Sequence, residues 1–278
     1  MSLIKKNPVL AYYILTFLIS WGGFLLIGGS GLLTGTNWQT DPRFQFAVLA
    51  MLAGPPFAGL LLSFIVSGKA GLRELFARSI RWRVSGRWYA FAILTAPLIQ
   101  LAVLIALSNF SSLFLPSIFV ISDKAALLVA GIAVGLVGGL VEELGWTGFA
   151  IPRLRSRYSL LTTGIIVGIF WGMWHLLQMW WVSMTSAEAI PLAIFVPLYF
   201  ISSILALTAF RVLMVRVYDR TNSLLVAILM HASYIFSTLF VLAPPIKGPA
   251  FLIYNFVFTF VLWAVVAAVA LADQKQIA

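Results

Sequence analysis

Two adjacent glutamates, Glu142 and Glu143, and the chain's two histidines, His175 and His231, all stand in apolar stretches. These are the residue types of general acid–base chemistry. A glutamate in apolar surroundings takes a proton from water, and an imidazole shares that proton or donates to an oxygen on which negative charge develops. The reaction that uses both is attack of an activated water on a carbonyl, with Glu142 and His175 on the water and His231 on the oxyanion. Keeping one ionisable residue at membrane depth costs about 2.5–3.5 kcal/mol on the mildest scale, so two side by side call for a functional reason.

The two carboxylates have different duties, because neighbours on an α-helix diverge by about 100°. Gly131, Gly135 and Gly139 form a ridge at four-residue spacing, and the same stripe continues to Glu143 and Thr147. Such ridges let another helix approach closely. Glu143 is therefore expected at a packed helix interface, with Glu142 turned toward a different neighbour.

Long apolar helices must position these groups. Of the 278 residues 62% are hydrophobic and 9% charged, with a mean hydropathy of +1.04. Runs of about 20 apolar residues, enough for a core of about 30 Å, recur about eight times. The expected fold is an all-α polytopic membrane bundle of about eight spans in one domain over 1–278, with the functional core over about 125–242. The spans are expected near Val9–Ile27, Phe44–Val66, Trp88–Leu107, Ala125–Ile151, Leu160–Val182, Ile190–Val215, Ser223–Leu242 and Phe251–Leu271. A kink is expected at Gly54-Pro55-Pro56, and an end to the fourth span at Pro152. The first inter-span loop passes through Asn37 and Asp41.

Charge fixes the orientation. Of 18 basic residues, Arg43, Lys124 and Lys247 fall on one side, and the other fifteen, Arg211 and Arg153 among them, are assigned to the opposite side. The positive-inside rule then places both termini in the cytoplasm and the protein in the cell membrane as a multi-pass chain. The basic stretch from Lys69 through Arg73, Arg78, Arg81 and Arg83 to Arg87 alternates with Leu72, Leu75, Phe76 and Ile80, and reads as an interfacial amphipathic helix on the lipid bilayer. A net charge of +10 spread over short loops in this way does not point to nucleic acid. Without cysteine, disulfides and thiolate chemistry are excluded. Glu142 and His231 lie at similar depths, roughly 14 and 12 Å from the cytoplasmic edge; His175 joins them at roughly 15 Å if Leu160 to Gly164 is interfacial, with Trp180-Trp181 as the outer aromatic belt.

The motifs resemble those of the CAAX protease and bacteriocin-processing family of intramembrane proteases, also called the Abi family, and are similar to its type II CAAX prenyl endopeptidases. The segment from Glu142-Glu143 to Phe149, Trp171-Gly172-Met173-Trp174-His175 and His231-Ala232-Ser233-Tyr234-Ile235 match the family's three motifs in order and spacing. The resemblance implies an intramembrane endopeptidase acting on a membrane protein or peptide, with Glu142 and His175 activating water and His231 stabilising the oxyanion. It departs at two positions. Thr147 stands where the family has arginine, so Glu143 is expected to be protonated or paired elsewhere, with Arg153 as the named candidate. Ile235 stands where the family has asparagine, and Tyr234, Ser233 or Asn255 are the candidate replacement donors. No cofactor is favoured; Glu142, His175 and His231 would be the ligands if zinc bound, with a fourth position open to water. The alternative function is a catalytically weakened member that acts by binding, as in bacteriocin self-immunity; a transporter or proton relay is a third reading.

Overall fold

The computed structural model describes residues 3–34 and 40–275; Asn37 lies outside the described residues. The described residues form helices and no strands. The longer helices are α1 (Pro8–Gly28), α2 (Arg43–Ser79), α3 (Gly86–Ser108), α4 (Lys124–Gly145), α5 (Leu160–Trp174), α6 (Leu176–Ser186), α7 (Leu192–Thr221), α8 (Leu224–Ile235) and α9 (Gly248–Lys275). Seven helices among the described residues are long and apolar enough to cross a membrane, and α5 with α6 makes an eighth as a pair bent by 55°. The protein is a polytopic all-α membrane bundle. Three of its helices start on a side-chain cap, where Asp123, Ser159 and Ser223 accept from the backbone N–H three residues on. Asn222 ends α7 in the left-handed region, at φ 48°.

Several expected boundaries shift. The expected fifth span is not one helix but breaks at His175. The fourth span does not end at Pro152: α4 runs into a π turn over Trp146–Ala150 and a short helix, Ile151–Arg155. Pro152 follows the π turn, and the Gly148 carbonyl four residues before it accepts from Arg78 Nη2 at 3.1 Å instead. At Gly54-Pro55-Pro56 the backbone of α2 keeps helical angles, and the residue with non-helical angles is Gly68 (φ 62°), which separates the spanning part of α2 from its basic end.

Prolines inside spans free a carbonyl four residues back, and hydroxyls from neighbouring helices fill the gap. Pro55 leaves the Met51 carbonyl, which accepts from Ser20 Oγ of α1 at 2.6 Å. Pro97 in α3 leaves the Ile93 carbonyl, which accepts from Ser233 Oγ of α8 at 2.6 Å.

Two glycine ridges set the helix spacing around the candidate residues. On α4, a Cβ at Gly135 or Gly139 would stand 2.6 Å from the Ala232 carbonyl oxygen or 2.7 Å from that of Ile228, so α4 touches the backbone of α8. On α5, Gly164, Gly168 and Gly172 do the same against Val212, Thr208 and Ile204 of α7. Filling the first ridge with Gly139→Val forces α4 and α8 apart; overpacking of this kind costs about 1–3 kcal/mol. The expected result is a lower thermal midpoint in detergent together with loss of activity, since Glu143 and His231 sit on the two separated helices.

The basic residues gather at one face, where Arg155 pairs with Asp219 at 2.8 Å, Arg216 with Asp273 at 2.8 Å, and Ser223 Oγ donates to the Arg81 carbonyl at 2.6 Å. Trp180 and Trp181 do not form a lipid-facing belt. Trp181 is buried against Phe24 and Ala47, and Trp180 Nε1 donates to the Leu33 carbonyl at 2.8 Å.

Candidate active site

Glu142 and Glu143 both lie in the last turn of α4 and are both buried, but they face different helices. Glu142 meets α5: its Oε2 accepts from Trp171 Nε1 at 2.7 Å. Glu143 follows the glycine ridge to α8, where its Oε1 lies 2.7 Å from His231 Nδ1. The divergence read from helical geometry is what the structure has.

Glu143 is not paired with Arg153. Its partner is Arg211 of α7, whose Nη1 donates to Oε1 at 2.9 Å and to Oε2 at 2.7 Å; the Thr147 hydroxyl also donates to Oε2. Arg211 and Glu143 are both 0% exposed. Arg153 instead donates to the Phe149 carbonyl at 2.9 Å and lies over the Phe149 ring. Sequence reasoning missed Arg211 by counting it with the cytoplasmic loop residues. The signal was present, since the expected span Ile190–Val215 already enclosed it, and a buried arginine at membrane depth is by default paired and functional. The second ridge of glycines, on α5, is what draws α7 in close enough for Arg211 to reach Glu143.

Trp171 joins the parts. Its indole donates to Glu142, its backbone carbonyl holds His175 Nδ1 at 2.8 Å, and its ring carries the Arg211 guanidinium 4.0 Å from the centroid. The His231 ring stands edge-on to it at 5.1 Å and 84°. A carbonyl only accepts, so His175 Nδ1 carries the hydrogen and Nε2 keeps its lone pair. That tautomer suits an imidazole that receives a proton from water. By the same logic the Glu143 carboxylate accepts from His231 Nδ1–H, so His231 Nε2 donates when the ring is an imidazolium. Trp171→Phe keeps the ring but deletes the hydrogen bond to a charged group, an interaction worth about 1.5–3 kcal/mol. The expected outcome is a ten- to hundredfold fall in kcat/KM with little change in thermal midpoint, measured on one preparation.

The break at His175 has a physical role here. It ends α5 so that the imidazole turns back onto Trp171, and Trp21 of α1 donates to the Trp174 carbonyl at 3.2 Å, beside the break. Behind Glu142, the π turn starts at Trp146, whose ring packs on Tyr12 and Tyr13 at 5.5 and 6.0 Å. Single π turns inside α-helices recur at functional sites. Two carbonyls of this turn are held by arginines, Gly148 by Arg78 Nη2 at 3.1 Å and Phe149 by Arg153. Arg78, read from sequence as a lipid-facing topology residue, is buried and also donates to the Tyr218 hydroxyl.

The expected replacement donors are mostly committed elsewhere. Ser233 fills the Pro97 gap, and Asn255 donates to the Phe251 carbonyl of its own helix at 2.8 Å. Ile235 packs its Cδ1 over Gly138, and Tyr234 lies against Phe210 with ring centroids 4.4 Å apart. The Nε and Nη2 atoms of Arg211, the edge with which a guanidinium grips an oxyanion side-on, are buried without a hydrogen-bond partner. Among the described residues no three of His, Cys, Asp and Glu converge closely enough to hold a metal ion.

The profile of the family described as type II CAAX prenyl endopeptidase, Rce1-like, matches residues 124–236. That segment carries Glu142, Glu143, Trp171, His175, Arg211 and His231. Over that segment the chain is similar to this family of CAAX proteases. A CAAX prenyl protease 2 from Methanococcus maripaludis is 39% identical over 67 residues, 24% of this chain and 20% of that relative. The chain thus spans about a fifth of the length of the CAAX protease it matches. Where the family motif has arginine after the glutamate pair, this chain has Thr147, and the guanidinium arrives from α7 as Arg211.

Proposed function

We propose that the protein is an intramembrane endopeptidase that hydrolyses a peptide bond of a membrane-associated protein or peptide. The observation that carries the reading is Trp171 holding Glu142 and His175 in fixed orientations, while Glu143 holds His231. Glu142, with His175 Nε2, takes a proton from water, and the hydroxide adds to the scissile carbonyl carbon. The oxyanion so formed is held by His231 Nε2–H and by the free Nε–Nη2 edge of Arg211, which stands in for the donor that Ile235 cannot supply. Collapse of the adduct breaks the C–N bond, and the proton first taken from water passes to the leaving amine. No metal enters these steps.

The basic face of the bundle is assigned to the cytoplasm and the membrane to the cell membrane, from the bias of Lys and Arg. The name of the archaeal relative makes peptides ending in a prenylated cysteine motif the first substrates to try. Purified protein in lipid, given reporter peptides with and without a prenyl group, is expected to cleave them in the presence of strong chelators. Loss of cleavage in chelator that returns on adding metal overturns the metal-free mechanism. The second reading is a binding role such as bacteriocin self-immunity, favoured by Ile235 alone. Full immunity in a cell-based assay with Glu142→Ala would establish it in place of catalysis.

A further inference from the structure

We propose that the cleft between α3, α7 and the end of α9 is a binding site for the phosphate headgroup of an anionic phospholipid. The cleft has a volume of about 210 Å³ and is lined by Arg87, Trp88, Phe91, Arg216 and Arg220. Three guanidiniums stand there, and one carboxylate, Asp273, reaches two of them. Asp273 takes Arg216 side-on, with both bonds at 2.8 Å, and lies 3.5 Å from Arg220. Arg87 has no acidic partner among the described residues, and its guanidinium lies over Trp88 at 5.5 Å. Arg216 covers Trp88 as well, at 5.1 Å, so the indole is flanked by two cations and the site keeps a surplus of positive charge.

The position selects a lipid as the source of that phosphate. The cleft lies at the basic face of the bundle, the level of lipid headgroups. Above it, Arg87 and Phe91 continue along α3 at helical spacing into Leu94 and Leu98, both exposed on the outer surface. A phosphate held by the arginines thus has its acyl chains laid on that apolar stripe. Basic pockets between transmembrane helices hold anionic headgroups for this reason. A second cleft, lined by Arg78 and Arg153, differs because both guanidiniums are spent on the backbone carbonyls of Gly148 and Phe149.

The test uses the full chain in detergent, with bound lipid counted by native mass spectrometry after exposure to phosphatidylglycerol or phosphatidylcholine. The wild type is expected to retain phosphatidylglycerol in preference. Arg87→Gln with Arg220→Gln, which leaves the Arg216–Asp273 pair intact, is expected to weaken that retention about thirtyfold, from about fivefold for each arginine. Asp273→Asn is expected to tighten it. Removing the same charge from the surface, by Lys69→Gln with Arg73→Gln, is expected to leave retention within twofold of the wild type. Equal retention of the two lipids, an equal loss in the surface control, no tightening in Asp273→Asn, or displacement of the lipid by inorganic phosphate would each overturn the proposal.

Discussion

Replacing Glu142 by Gln leaves the bundle folded and lowers peptide hydrolysis by about a hundred- to ten-thousandfold, the range supplied by one positioned general base. Gln is nearly isosteric, and its amide oxygen still accepts from Trp171 Nε1, so the hydrogen bond seen at 2.7 Å survives. What disappears is the capacity to take a proton. Thermal midpoints of the two proteins should agree within a few degrees while kcat collapses. Substrate binding, measured with a non-cleaved peptide analogue, should be unchanged. If the Gln variant retains more than a tenth of wild-type kcat, the base lies elsewhere. His175→Ala in the same background then separates the two: added to Glu142→Gln it should cost little more, because both groups handle the same proton.

The largest effect on stability is expected from Arg211→Met. It removes the partner of a carboxylate that has no access to solvent, and breaking a buried pair from one side costs about 3–5 kcal/mol. Much of that cost belongs to the stranded charge rather than to the bond itself. Adding Glu143→Gln should therefore restore most of the lost stability, since the amide oxygen can still accept from His231 Nδ1. Activity should not return with it, because the double variant lacks the Nε–Nη2 edge assigned to the oxyanion. A double variant as unstable as the single one would show that Arg211 and Glu143 are not coupled. A double variant with recovered activity would remove Arg211 from the chemistry and leave it as a structural partner.

The sequence carried the spans and the split between the glutamates, because both follow from periodicity. Apolar runs of fixed length mark crossings, and a four-residue glycine ridge assigns Glu143 to one helix interface and Glu142 to another. What escaped depends on features without a period. A hydropathy window averages across His175 and sees one span where the backbone bends by 55°. A charge tally places every arginine in a loop, so Arg211 was counted with the cytoplasmic residues although it is fully buried. The partner of Glu143 was then sought nearby in sequence, at Arg153, when it lies 68 residues away on α7. Likewise Ser233 looked like a spare hydroxyl beside His231, and only the packing of α3 against α8 shows that Pro97 has claimed it.

The π turn at Trp146–Ala150 acts as a phase buffer in the fourth span. It takes up one residue more than an α turn within a single widened turn, so the glutamate pair before it and the arginines after it keep the facing of a continuous helix. Excising one residue there, Gly148 for instance, would restore an unbroken α repeat and leave Arg155 facing Asp219 and Glu143 facing His231. What would go is the wide turn itself, with the Gly148 carbonyl that Arg78 holds. A one-residue length change at this point is thus absorbed where it occurs, and an alignment gap there marks a lost backbone contact and not a rotated rim.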